Sequence, residues 1–269
     1  MYTTRGWSWR PRAALWVALG IALGGCVGTD SRDDGPGADD FDATTEGQPA
    51  RPAADARAYR VVPGESEFEI HVYRDGRLAR LGHNHVVAST NLEGTLWLAD
   101  PVAASVVELV IDKASFTVDE AERRADAGEG FEKPVPDEAV AGTRNNMLSA
   151  DLLSGELFPS VSVRTLAVEG EWPELRLTAQ IMVRDTPKSL TLPMTVTREG
   201  DRIRAQGSTR VTHEELALVP FSVMLGALRV REEMLLYYSV VAQACEGSCT
   251  AAPLASASPI ALAYDAIDP

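Results

Sequence analysis

Three cysteines in 269 residues are too few for a disulfide-dense scaffold or a four-cysteine zinc site. Basic charge is also short: 25 Lys and Arg stand against 39 Asp and Glu, a formal net charge of −14. That deficit argues against nucleic acid as a partner, because neutralising phosphates needs a basic patch. It equally disfavours an anionic membrane surface as an electrostatic docking site. Catalytic signatures are missing too. The chain has no Gly-x-Ser-x-Gly elbow, no His-Glu-x-x-His, no glycine-rich phosphate loop and no dinucleotide fingerprint. The acid pairs Glu214-Glu215 and Glu232-Glu233 diverge in a strand and read as solvated surface. The residues therefore point to no enzyme and to no cofactor. What is present is an ordinary 45% of hydrophobic residues, enough for a buried core.

The chain falls into unlike parts. Residues 1–12 carry Arg5, Arg10 and Arg12 and no acid, and residues 13–23 are apolar. That run is shorter than the roughly 20 residues of a membrane span and has the shape of a secretory signal peptide. Leu23-Gly24-Gly25-Cys26 resembles the bacterial lipobox, which makes residues 1–25 a lipoprotein signal peptide and Cys26 an acylated anchor. Two or more acyl chains hold a protein on a membrane without any spanning helix. Val27, not Asp, follows the Cys, which implies a cell-envelope protein on the outer membrane facing the periplasm. Removal of residues 1–25 takes three arginines and no acid, so the mature chain has 22 basic and 39 acidic residues, a net −17. Residues 26–58 are rich in Asp, Gly and Pro, with Phe41 the one large apolar group, and read as an acidic disordered tether. Residues 244–269 read as a tail.

Residues 59–243 form the folded part, and their pattern is period two. Phe68, Ile70 and Val72 oppose Glu67, Glu69, His71 and Tyr73; Leu92, Gly94, Leu96 and Leu98 oppose Glu93, Thr95 and Trp97. Val107, Leu109 and Ile111 alternate, as do Leu175, Leu177, Ala179, Ile181 and Val183. Further strand-like runs span 160–168, 190–198, 203–212 and 233–242, with Glu199-Gly200-Asp201 as a hairpin turn. A helix is expected over 137–153, capped by Asp137, and a helical turn over 213–218. Residues 119–136 should be an exposed acidic loop. The fold class is all-β with one or two short helices: an eight-stranded antiparallel barrel, the size that can hold one small ligand.

Four segments, in order, carry a resemblance. They are YRVVPGESEFEIHVYR (59–74), RNNMLSADLLSGELFPSVSVRT (144–165), LTAQIMVRDTPKSLTLPMTV (177–196) and residues 207–242. Arg144, Leu148, Ser149, Phe158 and Pro159, then Thr186-Pro187-Lys188, fall where the pattern expects them. The region resembles the YceI-like family of bacterial secreted and periplasmic proteins. Many members carry Asp-Phe-Gly where this chain has Glu215-Leu216-Ala217. The resemblance implies a lipocalin-like barrel that binds a polyisoprenoid or other fatty amphiphile in an apolar cavity, without a covalent step. Phe68, Ile70, Val72, Leu96, Leu98, Ile181 and Val183 are inward candidates for contacting such a ligand.

Other readings of the residues stay open. His83 and His85 are two apart and share one side of an extended segment, so they could bind a ligand's polar head at the barrel mouth. With His71 or His213 they could instead supply imidazoles to a metal or haem in a redox accessory or enzyme. A packed barrel that serves only as a protein-interaction module is the third reading. Cys245 and Cys249, four apart around a Gly, suit a small structural disulfide and lack redox Cys-x-x-Cys spacing.

Overall fold

Each stretch of alternating hydrophobicity forms a strand. The computed structural model describes residues 47–246 and Cys249. Its strands are β1 (Arg57–Val61), β2 (Glu67–Val72), β3 (Arg74–Asp75), β4 (His85–Ser89), β5 (Leu92–Leu98), β6 (Val106–Asp112) and β7 (Thr117–Val118). After the helices α1 (Ala121–Ala127) and α2 (Asp137–Leu148) come β8 (Ser160–Glu171), β9 (Glu174–Met182), β10 (Pro187–Glu199) and β11 (Arg202–Thr212). The chain finishes with β12 (Ser222–Val223), β13 (Leu228–Val230) and β14 (Glu233–Ala244). The segments expected to be a signal peptide, a Cys26 lipid anchor, most of a tether and nearly all of a tail lie outside the described residues.

Eight strand positions close into an antiparallel barrel in the order β1, β5, β6, β8, β9, β10, β11, β14 and back to β1. β14 makes the closure along one edge, pairing residues 235–239 with β2 and 242–244 with β1. Three positions are interrupted strands: β1 continues as β2, β4 as β5 and β6 as β7. Closure removes the sheet edges that would otherwise template pairing with another chain. The hairpin at Gly200, with φ 60°, joins β10 to β11.

The barrel has unlike ends. One carries the start of β1, the end of β14 and the short turns after β8 and β10. The other carries both α-helices, a 3₁₀ turn at Glu214–Leu216 and a small flap in which β13 lies between β12 and β3.

That second end departs from the sequence-based expectations. Residues 119–136 are no exposed loop: they include α1, and Asp119, Arg124 and Phe131 are buried. The Phe131 ring packs on His71 and Tyr73 at centroid distances of 5.0 and 5.7 Å, strapping the segment over the outer face of β2. Asp137 is the first residue of α2, not its cap; Pro136 precedes it and no side chain caps the helix. Helix α2 also stops at Leu148, five residues early, because the chain from 149 to 159 is gathered around another group. Lys113, 1% exposed, donates from Nζ to the carbonyls of Leu153, Phe158 and Val183 at 2.9, 2.5 and 2.7 Å. Burial drops its pKa to about 8, with the nearby Arg184 charge adding to the effect. Arg144 ties α2 to the same corner by donating to the Phe116 and Ala114 carbonyls.

Candidate ligand cavity and its polar end

Inward side chains do not fill the barrel. They line a cavity of about 400 Å³ that reaches from Val102 and Trp172 at one end to α2 and the 213–230 segment at the other. Its wall is nearly all aliphatic and aromatic, as ligand pockets of this size usually are. Phe68, Ile70, Val72, Leu96, Leu98, Ile181 and Val183 all line it. Alternation puts them there: each is two residues from the next inward side chain of its strand.

Polar lining groups gather at the helical end. They are His85 at the start of β4, His213 just after β11, and Thr143 and Asn146 of α2. Thr143, Asn146 and Met147 stand at i, i+3 and i+4, so one face of α2 closes this end. Ser105 is the polar group near the other end.

The His83/His85 expectation needs correcting in part. β4 begins at His85, so the two are not in one extended run, and His85 alone lines the cavity. Their rings are 6.2 Å apart. Burial, with Lys133 and His85 as further positive neighbours, lowers the His83 pKa and favours its neutral form.

His85 is held from behind. Its Nδ1 lies 2.6 Å from Asp119 Oδ2, while Asp119 Oδ1 accepts from the Val86 amide at 3.0 Å and from Arg124 at 2.6 Å. Arg124 in turn donates to the carbonyls of Asn84, Phe131 and Lys133. Burial alone would raise the Asp119 pKa; hydrogen bonds from His85, the Val86 amide and Arg124 outweigh it and hold the carboxyl below its ordinary value. An ionised carboxylate can only accept, so His85 Nδ1 carries the hydrogen of this bond and Nε2 is the ring nitrogen left for a ligand. His213 is arranged alike: its Nδ1 faces the Glu232 carbonyl at 3.0 Å, an acceptor that fixes the proton there.

His71 belongs elsewhere. It sits on the outer face, Nε2 2.6 Å from Glu69 Oε1, and Glu69 also accepts from Arg123 of α1 at 3.0 Å. Burial would raise the Glu69 pKa, but the His71 and Arg123 hydrogen bonds bring it below its ordinary value. The four imidazoles are therefore not assembled, and among the described residues no three His, Cys, Asp or Glu side chains gather as a metal site. Cys245 and Cys249 come together, with Cα atoms 5.8 Å apart, inside the span of a disulfide.

Asp119, Thr143 and Asn146 had no place in the sequence-based site. The α2 pair was findable from its spacing. A lone acid 34 residues from its histidine was not.

Residues 59–242 match the YceI-like domain family. The chain belongs to that family. Three solved structures illustrate the likeness of its YceI-like barrel. Burkholderia cenocepacia BcnA is 12% identical, with 67% of this chain and 98% of that one covered and a TM-score of 0.49. A polyisoprenoid binding domain from Saccharophagus degradans, implicated in plant cell wall breakdown, is 13% identical over 70% and 99%, with a TM-score of 0.46. The Campylobacter jejuni YCEI protein is 12% identical over 60% and 85%, with a TM-score of 0.43. No curated protein matches the chain. Membership of the YceI-like family rests on the 184-residue sequence match and agrees with the closed eight-position barrel.

Proposed function

We propose that this barrel binds one long-chain amphiphile, an isoprenoid or fatty lipid, as carrier or store and without catalysing a reaction on it. The observation that carries this is the apolar cavity of about 400 Å³ with most of its polar groups, His85, His213, Thr143 and Asn146, gathered at one end. An alkyl or prenyl tail lies along the barrel, and its head meets Nε2 of His85 and His213 and the side chains of Thr143 and Asn146. Burying roughly ten methylenes contributes about 8 kcal/mol, the scale of a micromolar Kd before ordering costs. Membership of a family with a polyisoprenoid binding domain among its similar structures supports the isoprenoid class.

The rival use of His83 and His85 for metal or haem has less behind it, since His83 stands outside the cavity and, among the described residues, no three His, Cys, Asp or Glu side chains gather as a metal site. The proposed setting is the cell envelope, with Cys26 as the lipid anchor on the outer membrane and a Cys245–Cys249 disulfide formed in the periplasm. Metabolic labelling with palmitate should mark the chain and spare a Cys26→Ser variant, and non-reduced mass should show no free thiol at Cys245 or Cys249.

Mass spectrometry of an organic extract of the purified full chain tests the binding itself. A single lipid class near one molecule per chain is expected. An extract without lipid, together with no saturable uptake of a long-chain prenol or fatty acid, would overturn the proposal.

A further inference from the structure

The flap beside the polar end breaks two rules at one place. The Gly226 amide donates to the Val223 carbonyl at 3.1 Å, closing a tight turn between β12 and β13 whose central residues are Met224 and Leu225. Both have positive φ, 52° and 56°, followed by Gly226 at 82°. A turn with two central residues of positive φ ordinarily takes Asn-Gly, because a Cβ in that region costs on the order of 1 kcal/mol or more per residue. These two side chains are also apolar and wholly displayed: Met224 is 66% and Leu225 108% exposed. Strain and exposed hydrocarbon in the same turn is what a local packing role would not select.

Its surroundings are consistent. Leu81, Val219 and Phe221 are further exposed apolar groups of the two adjoining segments. The 76–82 segment is tied to the turn by the Leu78 amide, which donates to the Ala227 carbonyl at 2.8 Å. Charge there is inverted relative to the chain. Residues 74–82 and 219–231 hold five arginines and one acid, Asp75, in a protein of net charge −14. Asp75 is already paired with Arg229 at 2.7 Å. Arg77 and Arg80, both exposed, have no ion-pair partner among the described residues. Phe221 and Val230 also line the cavity, so the patch is continuous with the cavity wall.

We propose that the β12–β13 turn is a membrane-contacting wedge: Met224 and Leu225 insert among the acyl chains of a bilayer while Arg77 and Arg80 meet anionic headgroups, setting the cavity's polar end against the lipid source. A chain-wide acidic balance does not oppose this, because surface charges act within about 8–10 Å at ordinary ionic strength. The docking part stands on the turn and the arginines alone; the role in lipid transfer rests on the cavity reading.

The test places a reporter at the tip. Full-length Leu225→Trp is mixed with phosphatidylcholine vesicles containing phosphatidylglycerol, with or without bromine on the acyl chains. The expected result is blue-shifted emission and bromine quenching beyond that of the parent protein. Arg77→Gln with Arg80→Gln should weaken that signal by on the order of tenfold at low salt, and added salt should erase the difference. No added quenching at position 225 would overturn the docking proposal, whatever else holds the protein on the vesicle. So would sedimentation showing that Leu225→Ser dissolves a dimer of the parent, which would make a second copy the occupant. Uptake of a prenol from vesicle-free solution is read in parallel. If that uptake is intact and the tip does not insert, the wedge is wrong and the cavity reading stands. If the tip inserts and nothing is taken up, the reverse holds.

Discussion

Ala217 occupies the left-handed region, φ 56° and ψ 37°, directly after the 3₁₀ turn Glu214–Leu216. The family pattern that the closing segment resembles carries glycine at this place. An L-residue there is strained by about 1–2 kcal/mol, and glycine returns part of that gain as extra freedom in the unfolded chain. Ala217→Gly should therefore raise stability by up to about 1 kcal/mol, read as a higher urea midpoint at unchanged slope. Lys113 gives a pH signature of a kind the rest of the core lacks. Its folded pKa, about 8, lies below the ordinary 10.5, so between those values the unfolded chain binds more protons than the folded one. Stability should rise as pH goes from about 7.5 to 9, before the buried Tyr238, whose pKa burial raises, begins to act the opposite way near pH 10. Urea unfolding across that window should show the rise in the parent chain and its loss in Lys113→Met.

Among the elements, the 119–136 segment was the least legible. Its acids, Gly and Pro give the composition of a loop, yet it wraps β2 because Phe131 finds His71 and Tyr73, and Arg124 finds Asp119. His71 and Tyr73 lie far back in the chain, in and just after β2, so no local pattern announces the strap. The strands were legible because each buries alternate residues in a common interior, a signal that needs no partner to be read. Helix α2 was half legible: its spacing is in the sequence, but its early end is set by Lys113 reaching carbonyls from another part of the chain. Phe131→Ala tests the strap. With Phe131 only 2% exposed, truncation should cost about 3 kcal/mol and loosen His71, seen as faster amide exchange along β2.

Over the whole molecule the decisive quantity is empty volume. The inward-facing residues were readable one by one, but alternation is the same for a packed barrel and a hollow one, so the cavity itself was not. Ala205, half-buried on β11, lines it and offers a direct check. In a packed interior Ala205→Phe would overpack and cost about 1–3 kcal/mol. In this barrel the ring enters free space, so the unfolding midpoint should hold while lipid recovered per chain falls several-fold. Saturating ligand should in turn raise the parent's stability by about 2.7 kcal/mol at a hundredfold excess over Kd, and should do much less for the variant.

One last consequence comes from the way the ring closes. β1 and β14 pair side by side, and the Cys245 amide donates to the Ala58 carbonyl at 3.0 Å, so the first and last strands of the barrel finish within bonding distance of each other. The linear order of the gene is then one of several that describe the same object. A short glycine linker joining these two strands, with new ends cut into the exposed turn between β10 and β11, should give a circularly permuted protein of the same far-ultraviolet spectrum and lipid content. The barrel's mouth, wedge and strap all lie at the far end from that suture, so a handle grafted there for immobilisation leaves them facing outward.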